Sequence, residues 1–491
     1  GRQLIRAKWV FDIKRNAAGE IVRYKARLVA KGYLQVEGRD YGADGLFAPT
    51  PALTSIRLII PIALRLGFKV HHQDVKTAFL NAKLEKKYRQ YMIPPEGFKA
   101  TPGHVLELLK CLYGLKQSSH EWNQEIDKTL RKYGFRNIAG DECVYVHHSP
   151  SGKIDCILGV HVDDIIIAAP EKRMAKVKEM LKASYIMSDL GELSWYLGIK
   201  FEWSPNRQSC TLSQQAMIQE ILEEHGMSEC NAKKVPARKE FMRKPETPMT
   251  DQEIQWLNDR DLSQTKYRSL VGALQYLALA TRPDIAFATG QLARFVQDPR
   301  RQQWLAAKQL LGYLSSTRSL VLKFKIGEDR IIGWVDADWA GNLDDRSSTS
   351  GYTFIIGGGA ISWKSKKQSA PARSSAEAEI MALDLAVREA RWLRKLAKDL
   401  QMDTQPTTIH EDNSAAIAIS AKHRRTPRTK HIDVQYFAVS DDIKRGLVEV
   451  KPVASEDNVA DIFTKGLEKT KFEKFRNMLG LVEPSTVRGG A

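Results

Sequence analysis

Cysteine is scarce in this chain and follows no pattern. The five cysteines, Cys111, Cys143, Cys156, Cys210 and Cys230, form no C-x-x-C pair. Their spacing argues against a disulfide framework and a structural zinc site, and fits a reducing compartment. Long hydrophobic runs are also lacking: no apolar stretch approaches the roughly 20 residues that cross a bilayer. Gly1-Arg-Gln-Leu does not read as a signal peptide, and with no Met at the start a fragment or processed product is expected. Acids are too few to balance the bases. Lys and Arg number 75 against 58 Asp and Glu, a formal charge of +17. That excess suits a polyanionic partner, although a merely soluble basic protein has the same sign.

What the chain does hold is 43% hydrophobic residues, enough for real cores, and a length that predicts roughly three units. Within Asp155 to Ala169, two adjacent acids, Asp163 and Asp164, interrupt a β-branched apolar run. Period-two reading gives short buried strands over Ile157 to Val162 and Ile165 to Ala169, with the acid pair as the turn. Such a pair reads either as an ordinary turn or as part of a metal site that needs a third acid. Further upstream, Lys8 to Lys14 and Ile21 to Lys31 alternate around Asn16-Ala-Ala-Gly19, with bases interleaved. A hairpin of this kind can lie over phosphates or protect a sheet edge. Leu53 to Leu66 is helical by period, with Pro61 expected to kink or shorten it. Next, Val70, His72 and Asp74 share one face of a strand, and Asp74 at its end is a candidate third acid.

Five segments then occur in order: Tyr24-Lys-Ala-Arg-Leu-Val-Ala-Lys-Gly32, Gln73-Asp-Val-Lys-Thr-Ala-Phe-Leu-Asn81, Pro94-Pro-Glu-Gly-Phe98, Leu112-Tyr-Gly-Leu-Lys-Gln117 and Val162-Asp-Asp164. Together they resemble the reverse transcriptase of copia-type LTR retrotransposons. The resemblance implies fingers and a palm, with Asp74 on one palm strand and Asp163-Asp164 on the neighbouring hairpin. It also implies two Mg²⁺ ions, with Mn²⁺ as an alternative, held by Asp74, Asp163, Asp164 and the Val75 carbonyl. Arg27, with Lys25 or Lys31, matches the fingers bases that hold a dNTP triphosphate. Phe79 matches the residue that blocks a ribose 2′-OH, and is otherwise a core aromatic. Gln117, after Tyr113-Gly114, matches a turn near the templating base, and His161 lies against the primer end. There the family usually has Tyr. Ser119, His120 and Gly42-Ala-Asp-Gly45 depart from the family pattern too.

Helices are predicted over Gln214 to His225 with Gly226 as a stop, over Tyr267 to Thr281, and over Asp284 to Val296. Another is expected from Asp298 as cap with Pro299 at its first position, running to Leu314. Lys233 to Met249 reads as a linker or exposed loop. Beyond it, Ile331 to Asp336, Gly351 to Ile356, Ala360 to Lys364 and Thr408 to Asp412 read as strands. Ser374 opens a long helix to about Leu400, and Asn458 begins a last one. This order, with acids at Asp336, Glu379, Asp412 and Asp461, resembles the ribonuclease H layout. It implies a second pair of metal ions and cleavage of the RNA in a hybrid. Asp336 is preferred to Asp338, Glu379 to Glu377, and Asp412 to Glu411. Arg388, Arg391, Lys395 and Lys398 fall on one helix face that either tracks phosphates or is simply solvated, and Lys422 to Lys430 is a basic loop.

The expected fold is therefore a multidomain α+β and α/β protein, a right-hand polymerase followed by a ribonuclease H-like mixed α/β domain. Its expected boundaries are fingers and palm at 1–205, a helical thumb or connection at 206–325, ribonuclease H at 326–475 and a tail at 476–491. The expected function is an RNA- and DNA-templated DNA polymerase with ribonuclease H activity, serving retrotransposon replication and cut from a longer polyprotein. RNA template, DNA primer, RNA/DNA hybrid and dNTPs are the expected partners, with no membrane. The expected place is a cytoplasmic virus-like particle with later nuclear entry. A catalytically dead nucleic-acid-binding relic and a nuclease alone remain rival readings.

Overall fold

The computed structural model describes residues 4–15, 21–43, 46–238, 248–327, 329–342, 344–403, 405–421 and 433–484. The turn at Asn16 to Gly19, part of Gly42 to Gly45, part of the 233–249 linker, the basic loop at 422–430, His431 and most of the tail lie outside these. Packing divides the chain into two units. One comprises residues 1–52 and 68–193, the other 53–67 and 194–491. This division differs from the expected boundaries, because 206–325 and 326–475 pack as one unit that also takes in the early helix Leu53–Leu66. That helix is apolar over most of its circumference, with Ile56, Leu58, Ile59, Ile60 and Ile62 all buried, so it needs cover on several sides. Buried Arg57 ties it down by donating to the carbonyls of Leu279, Ala280 and Ile361. The helix keeps its full length through Pro61. Burial offsets the roughly 3 kcal/mol that a mid-helix proline costs.

In the first unit an antiparallel sheet of six strands runs Met187–Glu192, Lys69–Val75, Asp164–Ala169, Ile154–His161, Asp141–His148 and Arg136–Ile138. Strands Lys69–Val75, Asp164–Ala169 and Ile154–His161 surround the candidate acids. Their alternate side chains (Leu158, Val160, Ile165, Ile167) meet helices Ser118–Lys132 and Glu171–Ser184 through Trp122, Ile126, Val177 and Leu181. Ile166 and Ala168 are buried on the opposite face, which is why this strand reads as an unbroken apolar run. A separate ribbon pairs Ala7–Arg15 with Ile21–Ala30. It puts Arg27 and Lys25 on one face (opposite Val10 and Asp12), and Trp9, Phe11 and Tyr24 on the other.

The second unit holds two five-stranded sheets. The one that matters here runs Gly359–Lys367, Thr349–Ile356, Ile332–Asp338, Thr407–Glu411, Val448–Pro452. Its first three strands are antiparallel and its last two parallel. Helix Ser375–Asp399 packs across it, started by the Ser374 hydroxyl accepting from the Glu377 N–H. Two expected helices differ. The one expected from Asp298 begins at Arg301, where the Gln303 Oε1 accepts from the Arg300 N–H at 3.1 Å and Asp298 pairs with Arg300 at 2.7 Å. The last acid lies not on a full helix but on a 3-10 turn, Val459–Phe463, capped by Asn458.

Candidate active sites

The acidic hairpin is tighter than its sequence predicts. His161 pairs with Asp164, so Val162 and Asp163 form the turn and Asp164 is already the first residue of the returning strand. The expected turn, Asp163-Asp164, is thus shifted by one residue. The cause is Val162, which adopts a left-handed backbone at φ 57°, a conformation that a β-branched side chain resists. Its carbonyl is held by the indole N–H of buried Trp122 at 2.6 Å. The strand Lys69–Val75 lies alongside, with Asp74 directly opposite Asp164 and the Val75 N–H donating to the Asp163 carbonyl at 2.8 Å. Asp74 and Asp164 therefore stand side by side at the end of two paired strands, with Asp163 in the adjoining turn. Burial and the neighbouring Asp164 and Asp74 push the Asp163 carboxyl upward, against its own backbone N–H and Lys25. His72, two residues before Asp74 on the same face, places Nε2 2.8 Å from Oδ1 of Asp164. Sequence reading put His72 on that face without finding its partner.

The other expected residues of this site divide into two groups. Tyr113 lies close enough to Asp163, Asp74 and Arg27 for each to act on its hydroxyl, with burial the dominant upward influence. Phe79 stands edge-on to Tyr113 at 5.0 Å and packs against the core. Arg27 also sits 4.0 Å from Asp12 across the ribbon. The Tyr113–Gly114 turn reaches the base of the ribbon, where the Ala30 N–H donates to the Tyr113 carbonyl at 2.7 Å. A Cβ on Gly114 would come within 2.2 Å of the Ala30 carbonyl oxygen, so only glycine fits. Lys31 lies just past the ribbon's last pair, its N–H bonded to the Arg6 carbonyl. Gln117 is not offered outward. It is buried, accepts from Gln35 at 3.0 Å and donates to the Asp40 carbonyl at 3.2 Å. His161 is half-buried at the hairpin tip.

The second acidic set is more enclosed. Asp336 lies on the strand Ile332–Asp338, Glu379 in the first turns of Ser375–Asp399, and Asp412 just past Thr407–Glu411. Oxygens of these three come within 4.8 Å of one another, the one such group of acids among the described residues. Asp336 and Glu379 are 2% and 6% exposed. Burial, then the neighbouring acids, pushes Glu379 up to about 11, and burial opposed by Lys465 brings Asp336 to about 7. Among the rivals, Glu411 is fully buried at the strand end and close enough to push Glu379 upward, whereas Glu377 accepts from the Arg373 N–H. Asp461 does not join the three. Lys465 and Lys471 hold it at 2.6 and 2.5 Å, and the Thr464 hydroxyl donates to Asp336. Thr464, Lys465 and Lys471 were not found in the sequence, although Lys465 stands four residues after Asp461. On the helix face read as basic, Arg388 and Arg391 pair with Asp384 and Asp442.

The donor chemistry of both sets suits a divalent cation, and in the second set Asp336, Glu379 and Asp412 also have the spacing for one. All the expected donors are carboxylate or carbonyl oxygens, the choice of a hard cation. In the second set the Oε2 atoms of Glu379 and Glu411 are buried without a hydrogen-bond partner. Such crowded, desolvated carboxyls take up either a proton or a cation in place of solvent.

Fold and sites thus define a multidomain α/β protein with two carboxylate centres, one on a hairpin and one on a mixed sheet. The family described as reverse transcriptase (RNA-dependent DNA polymerase) matches residues 1–239. The Pol polyprotein of transposon TNT 1-94 from Nicotiana tabacum is 36% identical over 485 residues, 98% of this chain and 36% of the relative. That of transposon RE1 from Arabidopsis thaliana is 35% identical over 491 residues, 98% of this chain and 32% of the relative. A putative transposon Ty5-1 protein of Saccharomyces cerevisiae is 35% identical over 298 residues, 60% of this chain and 92% of that protein. The chain belongs to the reverse-transcriptase family of retrotransposon Pol polyproteins, as its copia-type motifs led us to expect. It spans about a third of the length of the two plant relatives. Among solved structures, an RNase H1 isolated from compost is similar at 14% identity over 30% of this chain and 97% of that one, with a TM-score of 0.23. A score that low establishes no shared fold.

Proposed function

We propose that this chain is a DNA polymerase copying RNA and DNA templates, joined to a nuclease that cuts the RNA of RNA/DNA hybrids, and that both serve retrotransposon replication. The observation that carries the polymerase reading is the pairing of Asp74 with Asp164 beside Asp163, in a chain of this family. In this reading the first unit supplies fingers and palm, the helices after residue 206 a thumb or connection, and the sheet around Asp336 the ribonuclease H part. Mg²⁺ or Mn²⁺, when bound, activates the attacking oxygen and stabilises the leaving one. Asp74, Asp163, Asp164 and the Val75 carbonyl would hold the ions at the first site, and Asp336, Glu379, Asp412 and Asp461 at the second. Arg27 and Lys25, on one face of the ribbon, would grip the triphosphate of a dNTP, with Lys31 nearby. Phe79, braced by Tyr113, would close the space a ribose 2′-OH needs. At the hairpin tip His161 would meet the primer end. Gln117 would act by fixing the turn under the templating base rather than by touching it. RNA selectivity at the second site would come from 2′-OH contacts and duplex shape. The cellular setting proposed is a cytoplasmic particle with later nuclear entry.

The test is primer extension on an RNA template beside hybrid cleavage, using Asp163→Asn and Asp412→Asn. Extension lost only in Asp163→Asn and cleavage lost only in Asp412→Asn is the expected result. Extension that survives Asp163→Asn, or cleavage that survives Asp412→Asn, sinks the corresponding half. The tighter gathering of the second acids favours one alternative, a nuclease alone, which predicts cleavage with no extension by the unaltered chain.

A further inference from the structure

The second acidic site contains a cation of its own. Lys465 leaves the end of the Val459–Phe463 turn and sets Nζ 2.6 Å from Oδ1 of Asp461 and 3.6 Å from Oδ2 of Asp336. It therefore bridges two acids that come from different parts of the chain. Beside it the Thr464 hydroxyl donates to the same Asp336 oxygen, and Lys471 takes the other oxygen of Asp461 at 2.5 Å. The two ends of the site consequently differ. Asp336, Glu379 and Asp412 gather with no lysine in ion-pair contact with Glu379 or Asp412 among the described residues, whereas the Asp336–Asp461 end is neutralised by ammonium. The side chains of Asp336 and Asp461 are 3% and 2% exposed, but that of Lys465 is 36% exposed. The acids are fixed in place, while the long lysine stem has solvent to move into. A compact, strongly hydrated ammonium is also a cation that can leave.

We propose that Lys465 is a resident counter-ion of this site: one divalent ion binds freely among Asp336, Glu379 and Asp412, and a second binds between Asp336 and Asp461 only by displacing the Lys465 ammonium. The proposal rests on the nuclease reading above and sharpens it, because the two ions become unequal. Lys465 is on this view a positioning residue. It holds Asp336 and Asp461 at ligand spacing without the metal, and it sets the concentration at which the site fills. Displacing a paired unit charge from a few ångströms opposes the incoming ion strongly enough to cost at least roughly tenfold in affinity.

Mn²⁺ binding followed by electron paramagnetic resonance tests this independently of activity. The full chain is used with Asp74→Asn and Asp163→Asn in place, so that the first site contributes little. The expected result is two classes of bound ion, the weaker at least about tenfold weaker than the other. Adding Lys465→Met should tighten the weaker class by at least about tenfold and leave the stronger unchanged, while Lys465→Arg should keep two unequal classes. Circular dichroism and melting temperature check folding. If Lys465→Met does not fold, Lys465→Gln carries the same expectation. Unchanged constants in the neutral variant, or two equal ions in the Lys465 chain, overturn the proposal. The nuclease reading survives that result provided Asp336→Asn removes the bound Mn²⁺. If no Mn²⁺ binds and Asp336→Asn changes nothing, both fail together.

Discussion

Asp74, Asp163 and Asp164 all remain partly exposed at the end of a hairpin, whereas Asp336, Glu379 and Asp461 are almost fully buried. The first set is held by backbone: a ladder pair, a carbonyl bond and a left-handed valine fix where the carboxylates stand. Side chains hold the second, through Thr464, Lys465 and Lys471. Partly exposed carboxylates keep more of their hydration, so the hairpin's difficulty is chiefly geometric, although burial still raises Asp163. Buried ones repel each other in a poor solvent, so the second site's difficulty is electrostatic. The same residue type is thus arranged under two kinds of constraint, and the two should respond to different perturbations.

The sharpest way to break that comparison is to remove one ligand from each. Asp163→Asn should lower primer extension by roughly 10³-fold or more and leave hybrid cleavage near its original rate, and Asp412→Asn should do the reverse. Rates of both reactions on each variant check this. An equal fall of both activities in either variant would mean the sites do not work separately.

A smaller effect concerns pH and metal. Burial and neighbouring acids raise Glu379 to about 11 and Asp336 to about 7 from ordinary values of 4.5 and 3.8. A raised carboxyl binds its proton more tightly in the folded chain than in the unfolded one. Stability is then unaffected below the unfolded pKa and falls as pH rises past it, for Asp336 between about 4 and 7. Without divalent metal, Asp336→Asn should therefore be more stable than the unaltered chain by a few kcal/mol at pH 8, and the gap should shrink toward pH 4. Added Mg²⁺ should close the gap at pH 8. Melting curves at several pH values, with and without Mg²⁺, decide it. A gap independent of pH would show that the buried carboxylates are not the source.

Much of this was legible because acids that end apolar strands stand out against period-two alternation. Asp74, Asp336 and Asp412 were found that way, and the helical period of Leu53–Leu66 marked a helix there, although it runs through Pro61 where shortening was expected. What stayed hidden depends on partners far along the chain. The Leu53–Leu66 helix belongs with residues after 194 because Arg57 reaches Ile361, which no local pattern signals. The acid pair is shifted within its turn because Trp122, forty residues earlier, holds the Val162 carbonyl. Asp298-Pro299 was a sound helix-start signal, outdone by the bond from the Arg300 N–H to the Gln303 side chain. Lys465 has the i+4 spacing from Asp461 that sequence can show, but its second acid, Asp336, lies on another strand.

Trp122 offers a perturbation confined to the hairpin. Trp122→Phe removes the indole bond to Val162 and leaves a small cavity, and should cost about 2 kcal/mol. With the anchor gone, Val162 should relax from its left-handed conformation, which stores roughly 1–3 kcal/mol. Extension should fall severalfold while hybrid cleavage stays constant. Chemical denaturation and the two rates measure this. Cleavage falling in step with extension would mean that the loss is general unfolding.

The mildest expected effect falls on His72, whose Nε2 lies 2.8 Å from Asp164. At that spacing the ring N–H donates to the carboxylate and fixes one of its two oxygens. A hydrogen bond to a charged group contributes about 1.5–3 kcal/mol, but Asp164 stays covalently placed by its strand without it. Only the orientation of one ligand is then loosened. His72→Ala should lower extension by roughly three- to tenfold, with hybrid cleavage unchanged. His72→Gln, whose amide can donate from a similar reach, should recover most of the loss. If the alanine variant extends primers as well as the unaltered chain, the bond does not orient Asp164. If the glutamine variant fails like alanine while both melt normally, ring packing rather than the donated proton is what the hairpin needs. The first result would leave Asp164 placed by its strand alone, and so widen the difference from the second site.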